Sequence, residues 1–261
     1  LTSCLKVLEQ DRFNTEAATL VARADIARGD LKRARQRLAG LDLSQYPHAY
    51  TVQGWLDLRQ DGGLTPQALA DAIANFKAAL RGDSRDVYAN LGLARLILQG
   101  QVADRTLEDA FALMTIAANQ DNAFGQSVLG WMHENGRGTA VDTAQAADWY
   151  KKAVASGEPS AMGYLGSLYE AGQGVPQSFV LATDLFMDAL DAGDSWTVEH
   201  LTTNWRDRPN ELLAEVQRRL QARGLYDGDI DGLFGPGTEG SIRKLASDAR
   251  ITAFPLLGMY Q

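Results

Sequence analysis

Small residues recur through the middle of this chain at one fixed step. Ala110, Ala146 and Ala182 stand in register with Ala117, Ala153 and Ala189, and Gly157 returns as Gly193, each time 36 residues on. A period of that size marks stacked helical hairpins, because one hairpin can bury its apolar face only against its neighbours. Alanines seven apart lie two turns apart on one helix face, and their size lets paired helices approach to the short end of the usual spacing of roughly 8 to 10 Å. Such an assembly offers a shaped face and is expected to bind rather than to catalyse.

Glycines keep the same beat. Leu91-Gly92, Leu129-Gly130 and Leu165-Gly166 each open a unit, and Gly100, Gly138 and Gly174 each stand eight residues after the paired glycine. Glycine inside a helix costs about 1 kcal/mol relative to alanine, so its return at one place predicts that helix backbones touch there. Earlier in the chain, residues 16 to 40 read as a hairpin: Leu20, Val21, Ala24 and Ile26 form a stripe, Gly29-Asp30 breaks it, and Leu31, Ala34 and Leu38 precede Gly40. A second hairpin places Gly54 and Leu56 on its first helix, a loop at Asp61-Gly62-Gly63 and Pro66, and Ala72, Phe76 and Ala79 on its second. Leu1, Leu5 and Leu8 form one helical stripe beside Cys4. A helix from Trp196 to Trp205, broken by Arg206-Asp207-Arg208-Pro209, is expected to cover the open end of the stack.

The spacing of Ala72, Phe76 and Ala79 resembles the second helix of the tetratricopeptide repeat. Gly136-Arg137-Gly138 with Trp149-Tyr150, and Gly172-Gln173-Gly174-Val175, resemble the Sel-one-like repeat, a longer relative of it. That likeness is close over residues 123 to 196 and weaker over 88 to 122, where Gly100 lacks its partner glycine. The resemblance implies an all-α solenoid of helical hairpins, with tetratricopeptide-like hairpins over 1–87 and Sel-one-like repeats with a capping helix over 88–208.

A different text follows. Glu211 to about Arg223 reads as a helix capped by Asn210 or a neighbour, with Leu212, Val216 and Leu220 on one stripe and Gly224 as its stop. Gln217-Arg218-Arg219-Leu220, Gly224-Leu225-Tyr226, Gly228, Ile230-Asp231-Gly232, Phe234-Gly235 and Thr238 resemble the peptidoglycan-binding module of bacterial cell-wall enzymes. The resemblance implies a small helical module over 209–250, with a tail over 251–261, and a glycan-binding motif of Tyr226, Asp231, Gly232, Phe234, Gly235 and Thr238. The chain departs from that family at Leu245-Ala246, where Phe-Gln is usual. The same residues also have structural readings: Asp231-Gly232 sets a turn, Phe234 plugs a core and Thr238 caps the next helix. Asp227, Asp229 and Asp231 begin like a calcium loop, but the twelfth position holds Thr238 and Pro236 stiffens the backbone between.

Few other chemistries fit. A net charge of -8 and the lack of a basic run argue against nucleic acid. No stretch offers the 18 or so continuous apolar residues of a membrane helix. His48, His133 and His200 are scattered, and Arg137 stands where His133-Glu134 would need a second zinc ligand. The lone Cys4 excludes an internal disulfide; Leu1-Thr2-Ser3-Cys4 has the shape of a lipoprotein cleavage box without the apolar signal before it. No phosphate loop is present, so no catalytic residue, metal or cofactor is expected.

In tetratricopeptide arrays the first helix of each hairpin lines a concave groove. Carried over, the resemblance gives a groove with Trp55 and Trp131 as anchors, Ser127 and Ser167 beside them, and Glu134 and Glu170 as a rim. Such a surface suits a protein segment with apolar and basic residues. The alternative is that neighbouring helices cover both tryptophans. The expected function is a non-catalytic periplasmic scaffold that binds a protein partner and docks to peptidoglycan. The other readings are the non-catalytic region of a larger enzyme or signalling protein, since Leu1 reads as the middle of a hairpin, or an accessory to a cell-wall hydrolase.

Overall fold

The computed structural model describes residues 2–59, 63–203 and 208–248. Among these residues every regular element is helical. The expectations at Leu1, Asp61-Gly62, Trp205, Arg206-Asp207 and the tail over 251–261 lie outside them. Two compact units meet between Gln120 and Asp121.

The first unit holds α1 (Thr2–Gln10), α2 (Thr15–Ala27), α3 (Leu31–Leu38), α4 (His48–Asp57), α5 (Pro66–Gly82), α6 (Val87–Leu98) and α7 (Leu107–Ala118). Side-chain caps start most of these helices. Asn14, Asp30, Thr65 and Asp86 each accept from a backbone N–H in the first turn, and Thr106 with Asp109 closes a reciprocal capping box. Gly29 lies at φ 79°, the left-handed stop its position in the sequence implies. Ala22, Ile26, Ala34, Leu38, Val52 and Leu56 then bury together.

Within this unit the repeated glycine makes room first for an aromatic ring. An added Cβ on Gly54 would stand 2.8 Å from the Phe76 ring, and one on Gly92 would stand 2.5 Å from it. Phe76 is fully buried. The closest approach to these two glycines is therefore that of the ring. Alanines at 72 and 79 bring the helix in, and the residue between them fills the hole that glycine leaves.

The second unit repeats this device. It holds α8 (Ala123–Asn135), α9 (Thr143–Ala155), α10 (Pro159–Ala171), α11 (Phe179–Asp191), α12 (Ser195–Thr202), α13 (Asn210–Ala222) and α14 (Pro236–Asp248). A Cβ on Gly130 would meet the Tyr150 ring at 2.7 Å and the Ala146 carbonyl at 3.2 Å, and one on Gly166 would meet Phe186 at 2.7 Å and the Ala182 carbonyl at 3.3 Å, so here the helix backbones also approach as the glycine register predicts. Tyr150 and Phe186 sit four residues after Ala146 and Ala182, as Phe76 does after Ala72, and all three are fully buried. Gly136, Gly138, Gly172 and Gly174 adopt left-handed backbone angles in the loops between paired helices.

Two details of the last elements differ from expectation. Asn210 opens α13 instead of capping it, and Pro209 stands at the cap without a side-chain bond. Thr238 lies inside the first turn of α14 and is buried, because that helix already begins at Pro236. The covering helix is present as α12, ending at Thr202. Phe186, Met187, Leu190 and Leu201 share one core with Leu212, Val216, Phe234 and Ile242, so α13 and α14 pack directly on α11 and α12.

Candidate interaction surface

Trp55 belongs to the core of the first unit. It is only 7% exposed, its ring meets Phe76 edge-on at 5.5 Å, and its Nε1 donates to the Tyr88 carbonyl at 3.2 Å. An exposed anchor is thereby corrected to a covered one: α5 and α6 enclose the ring. Its edge still contributes to a cavity of about 540 Å³ that Arg23, Tyr46, His48, Arg85 and Tyr88 also line. Asp86 lies in that wall, 2.5 Å from His48 Nδ1 and 2.6 Å from the Thr51 hydroxyl, which donates to it.

The remaining groove residues fall in the second unit. Trp131 is half-buried against the core formed by Ala146, Tyr150 and Leu165, and the Arg137 guanidinium lies 5.9 Å from its ring centre. Ser127 is buried with its hydroxyl 3.3 Å from that of Ser160. Ser167 donates to the Tyr164 carbonyl of its own helix at 2.7 Å.

The two rim glutamates have opposite settings. Glu170 meets Arg208 at 2.5 Å and His200 at 2.9 Å. Although burial pushes its carboxyl up, the His200 hydrogen bond and the Arg208 charge together hold it below its ordinary value. Glu170 is thus an internal link from α10 to α12 and the segment after it, not a free rim charge. Glu134 accepts from the Tyr150 hydroxyl at 2.7 Å, and burial raises its pKa.

Around Glu134 the fold gathers residues that the sequence reading passed over. The rings of Tyr150 and Tyr164 stack at 5.4 Å, Tyr164 meets Trp196 at 4.6 Å, and Trp196 stacks on His200 at 4.5 Å. Glu158 and Asp194, 36 residues apart in the repeat, stand at the starts of α10 and α12. Burial raises both carboxyls above their usual range. The Tyr164 hydroxyl is pushed up to about 12, first by burial and then by the charges of Asp194, Glu134 and Glu158. The signal was available: the period that revealed the alanines also aligns Asn122, Glu158 and Asp194 as helix caps.

The motif of the terminal module converges on one side chain. Gln217 is fully buried; its Nε2 donates to Asp231 Oδ1 at 2.9 Å and the Leu233 carbonyl at 3.0 Å, and it reaches the Tyr226 hydroxyl at 3.3 Å. Its Oε1 accepts from the Gly232 amide at 2.9 Å. Gly232 sits at φ 70°, and a Cβ there would press on the Asn210 carbonyl. Thr238 closes the cluster at 3.5 Å, and Phe234 is buried below it. Gly235 accepts the first α14 bond through its carbonyl, from the Glu239 amide. Gly232, Phe234 and Thr238 therefore shape the module from within, while half-buried Tyr226 and exposed Asp231 are tied to it through Gln217. What the module turns outward nearby is Ile230 and Leu233, beside a groove of about 480 Å³ lined by Phe179, Asn210, Glu211, Arg218 and Ile230.

Among the described residues no group of three or more His, Cys, Asp or Glu is placed to hold a metal ion. No described helix is long and apolar enough to cross a membrane.

Residues 87–122, 123–158 and 159–194 match the Sel1 repeat, and residues 209–252 match the putative peptidoglycan binding domain. Among curated proteins no match is found. Among solved structures, a Sel1 repeat protein from Oxalobacter formigenes aligns at 18% identity and TM-score 0.61, over 88% of this chain and 96% of its own. A protective antigen of uropathogenic Escherichia coli strains displaying an SLR fold aligns at 18% identity and TM-score 0.48, over 93% of this chain and 64% of its own. Helicobacter pylori cysteine rich protein B aligns at 24% identity and TM-score 0.40, over 54% and 100%. The chain thus carries three Sel1 repeats followed by a peptidoglycan-binding-like module, on an all-α solenoid fold of helical hairpins.

Proposed function

We propose that this chain is a non-catalytic scaffold of the bacterial envelope, in which the Sel1 hairpins hold a protein partner and the terminal module contacts peptidoglycan. The observation that carries this reading is the shared core of α11 to α14. Through it the last Sel1 hairpin and the module form one packed body, so a partner seated on α8 and α10 is held at a fixed place relative to whatever the module grips. Two modules on a floppy linker would lose that positioning. The placement in the envelope follows from the glycan, which is found there.

Retention on purified peptidoglycan tests the module. The intact chain is expected to sediment with the glycan, and Ile230→Glu with Leu233→Glu to weaken this while leaving the fold intact, since both side chains face solvent. No retention above background would overturn the glycan half of the reading. Tyr226→Ala and Phe234→Ala are poor probes, because those side chains support the module's interior. Fractionation of cells making the protein tests the compartment: recovery from the cytoplasm alone would exclude an envelope role.

A further inference from the structure

The cavity of about 540 Å³ in the first unit takes no part in the function proposed above. Its volume falls in the range of small-molecule sites, and its walls are both aromatic and charged. Tyr46, Trp55 and Tyr88 give it flat apolar surfaces beside Ile26 and Val52. One wall is set in advance by hydrogen bonds. The buried Asp86 carboxylate accepts from the Thr51 hydroxyl at 2.6 Å and the Ala89 amide at 3.0 Å and stands 2.5 Å from His48 Nδ1, while the His48 ring meets Tyr46 edge-on at 5.3 Å. Trp55 is fixed in the same way, through its bond to the Tyr88 carbonyl. A pocket whose walls are held before a ligand arrives loses little freedom on binding it.

Two cations of this cavity are left over. Arg23 from α2 lies over the Tyr88 ring at 5.2 Å, and Arg85 stands just before α6. Among the described residues neither guanidinium has a hydrogen bond or a carboxylate partner. The carboxylates of the same wall are engaged elsewhere: Asp86 as above, and Asp83 with the Arg85 amide at 2.9 Å and, at 3.7 Å, with His48 Nε2. What the fold leaves open is an acceptor for two planar forks of N–H donors. Carboxylate and phosphate both match such a fork. Asp83 and Asp86 repel a doubly charged phosphate more than a singly charged carboxylate, which favours the latter. The aromatic remainder of the cavity suits a flat ring, which packs edge-on or offset against tyrosine and tryptophan.

We propose that this cavity binds an aromatic carboxylate, with the ring among Tyr46, Trp55 and Tyr88 and the charge on Arg23 and Arg85. The same chemistry can reach the protein as a free acid or as the C-terminal residue of a peptide. The site draws on no residue of α8 or α10.

The test titrates the whole chain, labelled with nitrogen-15, with indole-3-propionate and with its amide, which keeps the ring and lacks the charge. The Trp55 indole resonance, assigned by its loss in Trp55→Phe, is expected to shift to saturation with the acid and to stay in place with the amide. Arg23→Gln combined with Arg85→Gln is expected to weaken binding by at least about tenfold at an unchanged melting temperature, since both side chains are exposed. Lysine at both positions keeps the charge without the fork and should recover part of the loss. An acetyl-Ala-Ala-Trp peptide with a free C-terminus, set against its C-terminal amide, separates the two sources: saturation with the free-ended peptide assigns the site to a chain terminus, and binding of the indole acid alone assigns it to a small molecule. Equal shifts from acid and amide, equal affinity of the double glutamine variant, or no Trp55 shift from either the acid or the free-ended peptide overturns the site.

Discussion

A hydrogen atom in place of a methyl group decides how these hairpins close. At Gly166 an added Cβ would meet the Phe186 ring at 2.7 Å and the Ala182 carbonyl at 3.3 Å, so Gly166→Ala is expected to cost about 1 to 3 kcal/mol in urea unfolding. Combining it with Phe186→Leu, which withdraws the ring edge, should recover part of that loss; strict additivity would show that ring and glycine are not coupled. Left-handed glycines divide by the same logic. Gly174 and Gly224 share nearly the same angle, but a Cβ on Gly174 would run into the Thr143 backbone while Gly224 faces open space. Gly224→Ala should cost about 1 to 2 kcal/mol from backbone conformation alone, and Gly174→Ala measurably more. Equal melting temperatures for the two variants would contradict this.

Helix ends carry the electrostatics. Asn122, Glu158 and Asp194 recur at the starts of α8, α10 and α12, and two of the three bring a half-buried carboxyl. Because burial raises Glu134, Glu158 and Asp194, the folded chain holds those protons longer than the unfolded one. The stability they contribute is full below the ordinary carboxylate range and is lost as pH rises through their raised values. Glu170 works in the opposite sense: its lowered value stabilises above the ordinary range, and that part is lost as pH falls through it. Urea midpoints measured from pH 3 to 8 should therefore fall less steeply toward neutrality in Glu158→Gln, and less steeply toward acid in Glu170→Gln. The Glu170 change should also lower the midpoint at neutral pH, since it leaves the 9% exposed Arg208 without its carboxylate. An unchanged pH profile in both variants would refute this account of the caps.

For the molecule as a whole, the shared core of α11 to α14 matters most. Deleting residues 209–261 uncovers Phe186, Met187, Leu190 and Leu201 along one face. The shortened chain is expected to melt at least about 5 °C lower, on the scale of 2 to 4 °C per kcal/mol for units of this size, and to expose an apolar surface that binds a hydrophobic dye. A deletion that melted like the intact chain would mean that the module is an independent bead, and the positioning role proposed for it would go too.

The sequence by itself determined the helical hairpins, their period and the small residues that let them close, because those features depend on neighbours a few turns or one repeat away. It also pointed to Phe76 as a knob and to Gly29 and Gly224 as helix stops, which the backbone bears out. Tertiary structure alone decided what each polar or aromatic side chain does. Trp55 is covered because Phe76 and Tyr88 arrive from α5 and α6, and Glu170 is bound because Arg208 reaches it from 38 residues away. Gln217 holds the module's motif from inside by touching segments that lie 9 to 21 residues along the chain. Short-range periodicity records which residues must be small; whether a charge is free or paired depends on distances across the fold, which no local spacing encodes.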